Sequence, residues 1–199
     1  MKIVVIGSTG IIGTAVVRAL VGRHEVIGAS RHGEPKVDLA DPSTVAAMFR
    51  AVPAIDAVIC CAGSAAWKPL AQLTDEDFAF SLSNKLMGQV HLARLAMTHL
   101  RDAGSITLTG GVLAQKPMPG SVAVSLVNAA LEGFVRAAAL EAPRGIRINV
   151  VSPPFVTESV QKNKMEVDEH LDADVVARAY VAAVEGRHQG AVLDPEILA

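Results

Sequence analysis

Short runs of aliphatic and β-branched residues, apolar at successive positions, recur along the chain at residues 2–6, 25–29, 36–39, 56–60, 105–109, 146–151 and 191–193. Strands that are apolar on both sides belong to sheets covered on both faces. The segments between them carry the longer period of amphipathic helices, and some open with capping signals. In Asp41-Pro42-Ser43 and Thr74-Asp75-Glu76-Asp77, a side-chain oxygen can bind free amides while acids meet the positive end of the helix dipole. This alternation predicts an α/β fold, a Rossmann-like doubly wound parallel sheet with helices on both faces. It predicts one domain over residues 1–199. Residues 154–171 pass from a proline-rich start to the charged QKNKMEVDEH and read as a substrate lid. The helix expected at 123–142 has few polar residues (Ser125, Asn128, Glu132, Arg136, Glu141), so a second apolar face is expected to meet another subunit in a homodimer or homotetramer.

Composition narrows the choice of partners. Lys and Arg total 18 and Asp and Glu 20, a net charge of −2, and no basic run offers a footprint for nucleic acid or an anionic membrane. The first apolar run is too short for a signal segment, and no stretch is expected to approach the roughly 18–20 apolar residues of a membrane span. Cys60 and Cys61 are adjacent and have no second pair, which predicts reduced core thiols in a cytoplasmic protein and no metal site. Hydrophobic residues make up 51% of the chain and aromatics 4%, with Tyr180 the single tyrosine.

The first strand runs into Gly7-Ser8-Thr9-Gly10-Ile11-Ile12-Gly13 and then an Ala/Val/Leu helix. Glycines at this turn let the backbone approach a pyrophosphate, and the helix amides stabilise its charge. A packing-only glycine turn is the alternative. After the second strand, NAD-binding chains place a carboxylate for the ribose hydroxyls. Here Ser30 and Arg31 offer a hydroxyl and a guanidinium suited to a 2′-phosphate, so NADP(H) is favoured over NAD.

These segments, with Asp38-Leu39, Cys60-Cys61-Ala62-Gly63, Asn84, GSITLTGG, ALEGFVRAAALE and GIRINVVSPPFVT, resemble the short-chain dehydrogenase/reductase family over nearly the whole chain. The resemblance implies that Asp38 and Leu39 meet the adenine and that Cys61, Ala62 and Gly63 lie along the cofactor. It also implies that Pro153, Pro154 and Val156 lie near the nicotinamide carboxamide, with Thr157 one residue from the family's threonine. Family members use Ser, Tyr, Lys and Asn for catalysis. Alignment puts the serine position at Gly110 or Gly111, the tyrosine at Val124 and the lysine at Asn128, and only Asn84 keeps its expected side chain.

The candidates for catalysis are therefore Asn84, Thr109 at a strand end, and Ser125 with Asn128 on one helix face. Asn128 also counts as a cofactor contact. Lys85 is expected to point elsewhere on its helix, and Tyr180 lies too far along the chain. Trp67, Met118, Phe155 and Met165 are candidates for an apolar substrate pocket. Two readings follow: an NADPH-dependent oxidoreductase acting on a small carbonyl or activated alkene with a non-standard proton donor, or a non-catalytic NADPH-binding sensor or scaffold.

Overall fold

The computed structural model describes residues 1–167 and 169–198. Its elements follow the predicted rhythm: β1 (Lys2–Ile6), α1 (Ile11–Leu20), β2 (Glu25–Ala29), α2 (Pro42–Ala51), β3 (Ala57–Cys60), α3 (Asp75–Ser81), α4 (Gly88–His99), β4 (Ser105–Thr109), α5 (Val122–Glu141), β5 (Arg147–Val151), β6 (Phe155–Val156), α6 (Thr157–Asn163), β7 (His170–Leu171), α7 (Ala173–Glu185) and β8 (Val192–Leu193). Six strands form one parallel sheet in the order β2-β1-β3-β4-β5-β8, and β6 and β7 form a separate parallel pair. The sheet buries both faces. Val4, Cys60, Ile106 and Val150 pack against α2, α4 and α5, while Ile3, Val5, Ile59 and Val151 pack against α1 and α7.

The capping signals operate as read. Asp41 accepts the Ser43 amide at the start of α2, and Thr74 and Asp77 form a reciprocal capping box on α3. The expected strand at 36–39 does not form, and only a single bridge links Ser30 to Lys36. Six residues, Ser30 to Pro35, separate this segment from β2. That span cannot hold a crossover helix, and Asp38 is already held by Thr44, whose hydroxyl accepts from its amide and contacts its carbonyl. The Asp38-Leu39 pair thus folds into the approach to α2.

One expectation about membranes needs correction. Among the described residues, Val122–Glu141 is long and apolar enough to cross a bilayer by length and composition. In this fold one side of it packs in the core. It buries Val127, Asn128, Leu131 and Val135, and also Glu132, whose carboxylate pairs with Arg136 and accepts from Gln115.

Candidate functional site

Two cavities of about 350 and about 250 Å³ lie at the carboxyl end of the sheet and share Cys61, Ala62 and Gly63 as a common wall. Crevices at this end of a doubly wound sheet are where such folds bind ligands. The larger cavity is lined by Gly7, Thr9, Gly10, Ser30, Arg31, His32, Asp38, Leu39 and Asn84. Its floor is the turn between β1 and α1, and close packing accounts for the glycines there. Gly7 has φ +80°, and a Cβ on it would lie 2.9 Å from the Cys61 carbonyl; a Cβ on Gly13 would lie 2.0 Å from the Gly7 oxygen. Gly10 occupies the cap position of α1 without a capping side chain, so the first-turn amides face the cavity region with no intrahelical partner.

Ser8 and Ile11 act differently from the rest of the loop. The Ser8 hydroxyl donates to the Ala29 carbonyl, fastening the loop to β2, and Ile11 packs towards α7. Arg31 is exposed at the rim and has no ion-pair partner among the described residues.

The smaller cavity is lined by Ile12, Lys85, Thr109, Gly110, Gly111, Val112, Leu113, Val124, Asn128, Pro153, Pro154 and Phe155. Val124 and Asn128 are one helical turn apart on α5 and take its cavity-facing side. Ser125 does not share that side: its hydroxyl meets that of Ser121 at 3.0 Å. Asn128 is buried. Its amide nitrogen donates to the Gly111 carbonyl at 3.2 Å, while its Oδ1 is buried with no partner. A Cβ on Gly111, where φ is +153°, would lie 2.8 Å from that same nitrogen, so the turn after β4 and Asn128 are fitted to each other.

The Thr109 hydroxyl is already committed. It donates to the Cys60 carbonyl and meets the Tyr180 hydroxyl at 2.7 Å, which leaves it no free proton for a ligand. Tyr180 is fully buried on α7, against the opposite face of the sheet, and burial pushes its phenol well up from its ordinary value. Val156 also turns away from the cavity, because the alternation along β6 sends it into the core and leaves Phe155 at the cavity wall. Trp67 meets Phe155 edge-on with ring centroids 6.2 Å apart, but Met118 and Met165 line neither cavity.

The residue that periodicity misplaced is Lys85. Between α3 and α4 the helix widens into a π turn at residues 82–87, where the Gly88 amide reaches the Ser83 carbonyl five residues back. Such a turn adds a residue to the helical repeat and rotates the side chains around it, a device frequent at functional sites. Asn84 consequently faces the larger cavity, its Oδ1 accepting the Ser64 amide at 2.8 Å. Lys85 faces the smaller one, and its Nζ donates to the Gly110 carbonyl at 3.1 Å. Burial pulls its ammonium from the ordinary lysine value to about 8.

Two contacts hold the helix there. Gln89, fully buried, pairs with both backbone groups of Thr109, where β4 has outrun its ladder with β3. Gly88 packs so closely on Leu39 that a Cβ would lie 2.7 Å from the leucine's own Cβ. The two cysteines belong to opposite core layers and are free, and burial raises both thiols, Cys60 to about 12.

A parallel doubly wound sheet with a glycine turn after its first strand and a crevice at its carboxyl edge defines a dinucleotide-binding fold. The chain matches the family model described as enoyl-(acyl carrier protein) reductase over residues 12–189. The chain belongs to the short-chain dehydrogenase/reductase family. It is similar to the solved protein lin1944 from Listeria innocua, at 38% identity and a TM-score of 0.94 over 98% of each chain. It is also similar to a small-chain dehydrogenase solved in complex with NADPH, at 26% identity and a TM-score of 0.87 over 98% of this chain and 95% of that one. Among curated proteins, the hydroxynaphthalene reductase-like protein Arp2 of Metarhizium brunneum is 33% identical over 101 residues. That match covers 50% of this chain and 38% of the relative.

Proposed function

We propose that this chain is an NADP(H)-dependent oxidoreductase that transfers hydride between NADPH and a small carbonyl or activated alkene, as a single domain over residues 1–199. The observation that carries the reading is the pair of joined cavities, one floored by the glycine turn and the other lined by Lys85, Asn128 and Thr109. The residues fit the dinucleotide. The turn of Gly7, Gly10 and Gly13 is packed backbone on backbone, and the first-turn amides of α1, with no capping side chain, are left for a pyrophosphate. Ser30 and Arg31 suit the 2′-phosphate, Asp38 and Leu39 the adenine, and Cys61, Ala62 and Gly63 the stretch between the two halves. At the far end Asn128 presents a buried oxygen without a partner, which a ribose hydroxyl or amide can satisfy, and Pro153 closes the wall.

The nicotinamide, when bound, supplies the hydride. The chain's part is to bind, orient and exclude water. Ser8, Thr9, Ile11 and Ile12 shape the turn, and Asn84 holds the 61–64 segment by its bond to Ser64. Residues 154–171 form the lid over the substrate end; they fold as β6, α6 and β7, with residue 168 outside the described residues. The family's serine, tyrosine and lysine positions fall at Gly110 or Gly111, Val124 and Asn128, so proton transfer rests on another group. Self-association as a homodimer or homotetramer is supported by Val122, Leu126 and Leu140, which stand exposed on α5. The two free thiols suit a reducing compartment such as the cytoplasm.

The test is direct. NADPH and NADH are titrated against the protein, followed by anaerobic mixing with a panel of aldehydes, ketones, quinones and enones. Substrate-dependent loss of nicotinamide absorbance is expected. Tight NADPH binding with no turnover across the panel favours the second reading, a non-catalytic sensor or scaffold, which the absence of an acid at Val124 supports.

A further inference from the structure

Hydride addition to a carbonyl leaves charge on oxygen, and the smaller cavity must hold a group that can neutralise it. Its lining has two titratable side chains, Cys61 and Lys85. Burial holds the Cys61 thiol firmly protonated, which makes it a poor proton donor near neutral pH. The Thr109 proton is spent on Cys60, and the Asn128 amide is no acid. Lys85 remains.

Its position is built. The π turn swings it off the face that a regular helix would give it, and Gly63 makes room for its stem. A Cβ at Gly63 would lie 3.0 Å from the Lys85 Cγ and 3.3 Å from its Cα. Gln89, one turn further along, locks α4 onto the backbone of Thr109, so the ammonium is held beside Gly110 at the end of β4.

We propose that Lys85 is the proton donor of this site, its ammonium giving a proton to the oxygen of an aldehyde or ketone substrate. The proposal rests on the oxidoreductase reading. As the hydride pair from the reduced nicotinamide forms the new C–H bond, the π pair of the carbonyl moves to oxygen. The Lys85 N–H bond breaks and an O–H bond forms, leaving a neutral amine and an alcohol. The amine regains its proton from water at the cavity mouth.

The surroundings suit a proton that leaves near neutral pH. Cys60 acts on the lysine from β3 and the Gly110 carbonyl accepts from it at the end of β4, Cys61 and Asn128 line the same cavity, and no carboxylate among the described residues pairs with it. A surface lysine holds its proton about 300-fold more tightly.

The experiment compares wild type, Lys85→Met and Lys85→Arg in three readouts: NADPH affinity by fluorescence, single-turnover rate with the best carbonyl of the panel, and Lys85 acetylation by acetic anhydride against pH, read by mass spectrometry. Lys85→Met is expected to bind NADPH within about threefold of wild type while its rate falls about 10²- to 10⁴-fold, the usual contribution of a positioned acid. Lys85→Arg keeps the cation but not a releasable proton, so it is expected to keep KM and lose rate. Wild-type rate should fall as pH rises through about 8, with the half-point of Lys85 acetylation at the same pH.

Circular dichroism establishes that both variants fold. A Lys85→Met rate within threefold of wild type overturns the proposal and leaves the oxidoreductase reading intact. So does a loss of NADPH affinity equal to the loss of rate, which would make Lys85 a cofactor anchor, or acetylation with the pH dependence of a surface lysine. A wild-type protein that binds NADPH but reduces none of the panel overturns the oxidoreductase reading, and this proposal with it.

Discussion

Two glycine-to-alanine changes in helices should move stability in opposite directions. In Gly13→Ala the added Cβ would sit 2.0 Å from the Gly7 oxygen, 2.7 Å from its carbonyl carbon and 3.0 Å from the Ser8 Cα. All three obstacles are backbone, so no rotamer change relieves them; either the loop or α1 must retreat by about 1 Å. Helix α1 resists, because Ala15, Val16 and Leu20 are buried between the sheet and α7. Overpacking of this kind costs about 1–3 kcal/mol. Alanine's advantage over glycine inside a helix offsets about 0.5–1 kcal/mol of that.

With a rigid obstacle the upper end applies, giving a net loss of about 2 kcal/mol and a fall in Tm of roughly 4–8 °C for a domain of this size. Gly133 on α5 is the control: it is exposed, and nothing lies within 4 Å of a Cβ built there. Gly133→Ala should gain about 0.5–1 kcal/mol, raising Tm by roughly 1–4 °C. Urea and thermal unfolding followed by circular dichroism measure both. An NADPH titration should show at least about tenfold weaker binding for Gly13→Ala alone, because about 1.4 kcal/mol of lost contact with a displaced loop suffices. A Gly13→Ala protein that melts at or above wild type, or that binds NADPH as tightly, would refute the assignment of this turn as a close-packed phosphate cradle.

Arg31→Ala should weaken NADPH binding about 10- to 100-fold, the worth of a charge-assisted hydrogen bond of about 1.5–3 kcal/mol, while leaving NADH affinity within threefold; equal losses in parallel titrations would remove Arg31 from the 2′-phosphate site. Tyr180→Phe should cost about 1 kcal/mol in urea unfolding, through the lost bond to Thr109, and leave single-turnover rate unchanged; a large rate loss would put the tyrosine back in the chemistry. Lys85 has a folded value of about 8 against an ordinary 10.5, so the unfolded chain binds more protons between these values. Stability of wild type relative to Lys85→Met should therefore rise from pH 8 to 10.5, and parallel pH profiles would show that its charge is not buried on folding.

The strands of the sheet were legible because burial on both faces leaves short runs of apolar residues between helical patterns. Residues 36–39 look similar locally, but the six residues after β2 are too few to return the chain to the sheet as a crossover strand. The turn between β1 and α1 was legible for a similar reason: a glycine forced by close backbone approach is visible in the sequence even though its neighbours are not. The smaller cavity was not. Helical periodicity places Lys85 away from the cavity, and only the i to i+5 bond from Gly88 to Ser83 brings it round. A π turn has no composition of its own, and the nearest written signals are Gly88, which needs to be glycine against Leu39, and Gln89, a polar residue with no exposure. Ser125 failed in the opposite sense, since three-residue spacing from Asn128 allowed a shared face but the nearer hydroxyl of Ser121 claimed it.

These placements explain why the charge in the smaller cavity comes from the π turn before α4, while α5 contributes only the Asn128 amide. At Gly111 any side chain would collide with Asn128, and Asn128 in turn is fixed by the Gly111 carbonyl, so that turn is closed to a larger residue, while the Thr109 hydroxyl on β4 is committed elsewhere. Val124, one turn before Asn128, adds an apolar surface there. The charged group enters from the opposite wall, where Gly63 leaves the stem of Lys85 a passage. The cavity holds about 250 Å³, small beside the usual 300–1,000 Å³ of a ligand pocket, so an ammonium at its wall lies close to whatever the cavity admits. On the proposed reading, Gly111 and Asn128 close one side of the cavity and the widened turn at residues 82–87 brings Lys85 to the other.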